Sequence, residues 1–122
     1  MSDFKELKVW QKAHALALAV NRVASASRAP AYTSLRAQMV RAAMSIDTNI
    51  AEGRGKHSDK ELVRYLRISA GSASELESHL IMARDVGLID PDASVRLLEQ
   101  LIEVRKMLFG LIKYLERAKA RT

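Results

Sequence analysis

Three histidines, His14, His57 and His79, are the chain's natural candidates for proton transfer or metal binding, and there is no cysteine. The lack of Cys removes disulfides, thiolate zinc sites and cysteine nucleophiles together. A di-iron bundle needs Glu-x-x-His pairs facing inward, and no Glu here is followed by His three residues later. His14 falls on the apolar side of the first helical segment and reads as a packing residue. His57 stands in a loop just before Ser58. His79 follows Ser78 on a helical segment, which invites comparison with phosphotransfer histidines, but the Leu80-Ile81-Met82-Ala83 run after it lacks the expected Lys-Gly context. Gly53-Arg54-Gly55-Lys56 is shorter than a phosphate loop, and no strand precedes it. We expect no catalytic residue, metal or cofactor, and read the chain as non-enzymatic.

The basic residues carry a positive expectation. Twenty Lys and Arg face fourteen Asp and Glu, a net charge of +6, which favours anionic partners without specifying them. Lys8, Lys12 and Arg22 form an acid-free stripe on the first helical segment, and Arg54 and Lys56 extend from the turn after the second. These five can meet phosphates of RNA or DNA without reading sequence. Nothing resembles a recognition helix, and with aromatics at 5% there is no stacking platform. The plainer account is that these cations keep an assembly soluble. The rival functional account is a scaffold whose basic surface docks a protein.

A second polar set reads as structural. Gln38, Arg41, Ser45, Thr48, Asn49 and Glu52 share one side of the second segment, opposite Leu35, Met39, Ala43, Ile46 and Ile50. Ser, Thr and Asn are mediocre on an exposed helix, so their clustering points to hydrogen bonding with a neighbouring helix. Glu77 and Arg105 lie inside otherwise apolar arcs. A buried unpaired charge is costly, so each needs a partner: the other, or a group across a subunit boundary.

The elements that must position these residues are helices. With 122 residues the chain is one domain. Hydrophobic residues make up 48%, recur at helical spacing almost throughout, and nothing reads as a strand. We expect an all-α, antiparallel up-down four-helix bundle with helices at about 5–27, 33–52, 58–86 and 91–118. Pro30 stops the first helix and Thr33 or Ser34 caps the second. Gly53 is read as a left-handed terminator, and Ser58-Asp59-Lys60-Glu61 as a capping box. Gly87 ends the third helix, and Asp90 caps the fourth with Pro91 in its first turn. Leu62, Leu66, Ser69, Ala73, Leu76, Leu80 and Ala83 alternate spacings of four and three, a seam for shallow-angle packing.

The fourth helix is apolar over an arc of roughly 220°, whereas one stripe facing a core needs little more than about 100°. The first is similar. Apolar excess of this kind marks interfaces, and we expect a homo-oligomer. No run approaches the roughly 18 apolar residues of a membrane span, and MSDFKELKVWQK carries charges where a signal peptide is apolar. We expect a soluble, cytoplasmic protein.

DFKELKVWQKAHALAL at the start, QMVRAAMSIDTNIAEGRGKHSDKELVRYLRISAGSASELESHL in the middle and the closing leucine-rich helix resemble the four-helix bundle family named for the 23S rRNA intervening-sequence protein. The resemblance spans essentially the whole chain, and its most specific parts are Arg41–Gly53 and Gly71–Glu77. It implies an antiparallel four-helix bundle and a ring-shaped homopentamer. The family in turn resembles the accessory protein of diversity-generating retroelements, a basic pentameric barrel that binds nucleic acid and the reverse transcriptase. Two positions depart from the family pattern: Asp47 stands where proline is common, and Ala29–Thr33 is poorer in aromatic and glycine residues.

Overall fold

The computed structural model describes residues 3–120, with side chains through residue 118. Four helices, α1 (Lys8–Ser25), α2 (Thr33–Arg54), α3 (Asp59–Asp85) and α4 (Pro91–Ala120), are accompanied by short 3-10 turns at Phe4–Glu6 and Pro30–Tyr32. They form the expected all-α, up-down bundle. Each helix packs on its chain neighbours, α4 closes the square against α1, and α2–α3 is the most extensive pair. No diagonal pair of helices brings Cα atoms within 8 Å among the described residues.

Local chemistry sets most of the boundaries. The Ser58 hydroxyl accepts from the Glu61 N–H at 3.1 Å, and the Asp90 carboxylate accepts from the Ala93 N–H at 2.8 Å. Gly87 adopts φ +79°. The N–H of Leu88 then returns to the Ala83 carbonyl at 2.9 Å and that of Gly87 to Arg84 at 3.1 Å, the paired bonds of a Schellman stop.

Three expectations are corrected. The first helix is Lys8–Ser25 rather than 5–27, because Asp3 caps a separate 3-10 turn and Leu7 is extended. Neither Thr33 nor Ser34 caps α2: Tyr32 precedes it with no side-chain cap, and the Thr33 hydroxyl donates back to the Pro30 carbonyl at 3.0 Å. Gly53 is not a left-handed terminator. It is buried within α2, which runs on to Arg54. A Cβ there would lie 2.7 Å from the Tyr65 Cβ and 3.2 Å from the Leu62 Cδ1. Glycine is used here for close approach of α2 to α3, not for its backbone freedom.

The core is aliphatic. Leu16 and Val20 of α1, Met39, Ile46 and Ile50 of α2, Leu66, Leu76 and Leu80 of α3, and Leu101, Val104 and Leu108 of α4 are fully enclosed. Along the α2–α3 seam the core includes Ala42, Ala43, Ala70 and Ala73, small residues that let two long helices lie close.

Candidate nucleic-acid interface

The polar ladder of α2 borders the outer groove between α2 and α3. Ser45 and Ser72 hydroxyls meet at 2.8 Å. The Asn49 amide donates to the Ser45 carbonyl at 2.8 Å and to its hydroxyl at 3.0 Å. Beneath them, the buried Ser69 hydroxyl donates to the Ile46 carbonyl at 2.8 Å. Arg41 and Glu52 are exposed and join none of these bonds. Glu77 and Arg105 pair with each other across α3 and α4, N–O 2.9 Å, in a partly exposed position.

On the other side of α2 lies a groove shared with α1. Trp10 stacks on His14 with ring centroids 4.8 Å apart, and Phe4 meets Trp10 edge-on at 5.1 Å. The Asp47 carboxylate lies 2.8 Å from His14 Nδ1. Asp47 is therefore a tether between the two helices. Leu18 and Met44, each about half exposed, border the same groove.

The five cations expected to meet phosphate do not form one surface. Lys8 and Lys12 start α1, beside the end of α2 that carries Arg54 and Lys56, while Arg22 sits near the other end of the bundle. Lys8 and Arg22 are exposed. Lys12 is shared with Glu103 of α4 at 3.1 Å, so the acid-free stripe of α1 acquires an acid from a neighbour. Lys56 lies over the Tyr65 ring at 5.6 Å, with Arg64 at 4.5 Å from the same ring. Arg54 is half-buried and engaged with other groups.

Sequence reasoning missed Arg28 and Arg36. With Arg41 they line an open groove of about 740 Å³ where α1 ends and α2 begins. A signal for them was present: residues 7–46 contain no Asp or Glu at all. The asymmetry extends to the halves of the chain. Residues 1–56 hold nine Lys and Arg against four acids, and residues 57–122 hold eleven against ten. Nearly all the excess positive charge therefore sits on the α1–α2 half.

Apolar surface is exposed as well. Val95, Ile102 and Phe109 recur every seven residues on α4 and are 53%, 45% and 43% exposed. Ile81 and Met82 of α3 are also exposed. No described helix is long and apolar enough to cross a membrane.

Up-down connectivity, an aliphatic core and a polar α2–α3 seam define the class: a small all-helical bundle with one basic half. The family model described as 23S rRNA-intervening sequence protein matches residues 5–110, and the chain belongs to that family. Its fold is similar to the 1.70 Å crystal structure of a protein of unknown function from the S23 ribosomal protein family of Bacteroides thetaiotaomicron VPI-5482. The TM-score is 0.76 at 21% identity, over 86% of this chain and 98% of that one. No curated protein matches the chain.

Proposed function

We propose that the protein is a non-enzymatic, cytoplasmic helical bundle that self-associates and binds the backbone of RNA or DNA through its α1–α2 half. The charge asymmetry carries this reading: the first 56 residues hold most of the net positive charge, and residues 7–46 hold no acid. A one-sided positive field attracts polyanions and sets a steep salt dependence. Lys8 and Arg22 enter no ion pair among the described residues and are the free cations of the original set; Lys12 contributes after exchange from Glu103. Fluorescence anisotropy with labelled single-stranded RNA and DNA tests the reading. Binding at about 50 mM salt should weaken sharply by about 200 mM. No retention of either strand at about 50 mM, which favours phosphate contacts, overturns it.

Self-association is supported by two apolar surfaces: Trp10, Leu18 and Met44 beside the α1–α2 groove, and Val95, Ile102 and Phe109 on α4. Unlike patches on one subunit suit a head-to-tail contact, which closes into a ring when the rotation permits. Family resemblance makes five subunits the first count to test. A monomer by light scattering at micromolar concentration ends this part. The α4 stripe also favours a second reading, an accessory subunit or scaffold that docks a protein such as a nucleic-acid enzyme. Charge reversal at Lys8, Lys12 and Arg22 separates the two readings: retained function in cells after loss of nucleic-acid binding favours docking.

A further inference from the structure

We propose that the groove between the end of α1 and the start of α2 is the principal phosphate seat of the bound strand, held by Arg28, Arg36 and Arg41. The inference rests on the nucleic-acid reading above and relocates its centre from Lys8 and Lys12 to the opposite end of the bundle.

The groove holds three guanidinium-bearing side chains and no carboxylate. Ser25 and Ser27 add hydroxyls, and Ala24, Ala37 and Val40 supply the apolar surface. Like charges gathered without an acid repel one another, and an anion between them relieves that repulsion. Arginine is also the cation best shaped for phosphate, because its planar fork donates two parallel N–H bonds.

Arg36 is already fixed. Its Nη1 donates to the Ala29 carbonyl at 2.8 Å and its Nη2 to the Thr33 hydroxyl at 3.3 Å. A guanidinium has five N–H donors, so these bonds position the group without exhausting it. A cation near the C-terminal end of a helix has an ordinary explanation, attraction to unpaired carbonyls. That explanation does not fit the Arg36 bond to Ala29, whose carbonyl lies beyond the end of α1 and already accepts the Tyr32 N–H at 3.2 Å. Nor does it cover Arg28 and Arg41, which are exposed and enter neither an ion pair nor a side-chain hydrogen bond among the described residues. Those two are free to close on a ligand that Arg36 pre-orients. The Lys8–Lys12 end contrasts at each point: it uses lysine, and Lys12 already has Glu103 at 3.1 Å.

The test compares the wild-type protein with Arg28→Ala/Arg41→Ala and Lys8→Ala/Lys12→Ala variants, using fluorescein-labelled single-stranded RNA from about 50 to 200 mM KCl. Circular dichroism melts should superpose, since all four side chains are exposed. The arginine variant should bind about tenfold more weakly at low salt. Its slope of log affinity against log salt should be shallower by about 1.4, at about 0.7 per phosphate contact on a single strand. The lysine variant should change less. An Arg28→Lys/Arg41→Lys variant should recover the salt slope but only part of the affinity, because it restores charge without the fork. An arginine variant that binds like wild type while the lysine variant is weakened overturns the groove and leaves the nucleic-acid reading intact. A wild-type protein that binds no strand overturns both.

Discussion

Replacing Gly53 by alanine should destabilise the bundle, although alanine is the better helix former. In an unobstructed helix interior the change stabilises by about 1 kcal/mol. At Gly53 the added methyl would sit 2.7 Å from the Tyr65 Cβ and 3.2 Å from the Leu62 Cδ1. The Leu62 methyl can rotate away, but the Tyr65 Cβ is fixed to the backbone of α3. Relief therefore requires the end of α2 and the start of α3 to move apart. Overpacking of this kind costs about 1–3 kcal/mol, and the upper part of that range applies where no rotamer offers escape. The net expectation is a loss of about 1–2 kcal/mol, or a fall in Tm of roughly 4–8 °C for a chain of this size. Gly71 and Gly110 provide internal controls. Both are exposed, and a Cβ at either meets nothing within 4 Å. Alanine there should stabilise by up to about 1 kcal/mol. Urea unfolding followed by circular dichroism, at one fixed subunit concentration because assembly couples to stability, measures all three. A Gly53→Ala protein as stable as wild type, or as stabilised as the controls, refutes the close-approach argument.

Two buried serines should respond in opposite senses. Ser69→Ala removes the bond to the Ile46 carbonyl and should cost about 1 kcal/mol in urea unfolding, whereas Ser94→Ala removes a buried hydroxyl with no partner and should be neutral or stabilising. A double-mutant cycle at Glu77 and Arg105 should return a coupling of about 2 kcal/mol if the neighbouring α4 stripe is covered by another subunit; a value of about 0.5 kcal/mol, typical of exposed pairs, counts against that coverage. The Lys5 N–H bonded to Asp3 holds that carboxyl below its usual range, followed by the charge of Lys5. A lowered carboxyl favours the folded turn above its unfolded value and loses that contribution as pH falls through the folded one. Trp10 fluorescence, which reports the Phe4 contact, should therefore show an acid step below about pH 4, and the Asp3→Asn variant should lack that step.

What was legible in the sequence was local. The stops and starts at Ser58, Gly87 and Asp90 each depend on groups within five residues, and the heptad seam of α3 needs only its own spacing. The misreadings have non-local causes. Gly53 resembles a helix terminator in sequence, but its requirement is set by Tyr65 on the neighbouring helix. Lys12 belongs to an acid-free stripe only until α4 brings Glu103 within 3.1 Å. The polar ladder pointed to a neighbouring helix, yet which members bond depends on Ser72 of α3, and Arg41, which lines the ladder's groove beside Glu75 of α3, also borders the groove where α1 ends and α2 begins.

The distribution of charge follows from how α2 is used. One side carries Ser45 and Asn49 against α3, and the small Ala42, Ala43 and Gly53 belong to the buried core. The other side holds Asp47 against His14 of α1. With α2 clamped on both sides by short polar side chains, no long charged residue is needed to join it to its neighbours. The α3–α4 and α1–α4 pairs differ: Arg67–Glu116, Glu77–Arg105 and Lys12–Glu103 bridge them. Acids are therefore spent where helices meet α4, and residues 7–46 keep their cations unmatched in sequence. Among their Lys and Arg only Lys12 is drawn into an ion pair among the described residues, by Glu103 of α4. That Arg28 and Arg41 stay unpaired at a carboxylate-free groove is what makes a ligand, rather than the bundle itself, the better account of their placement.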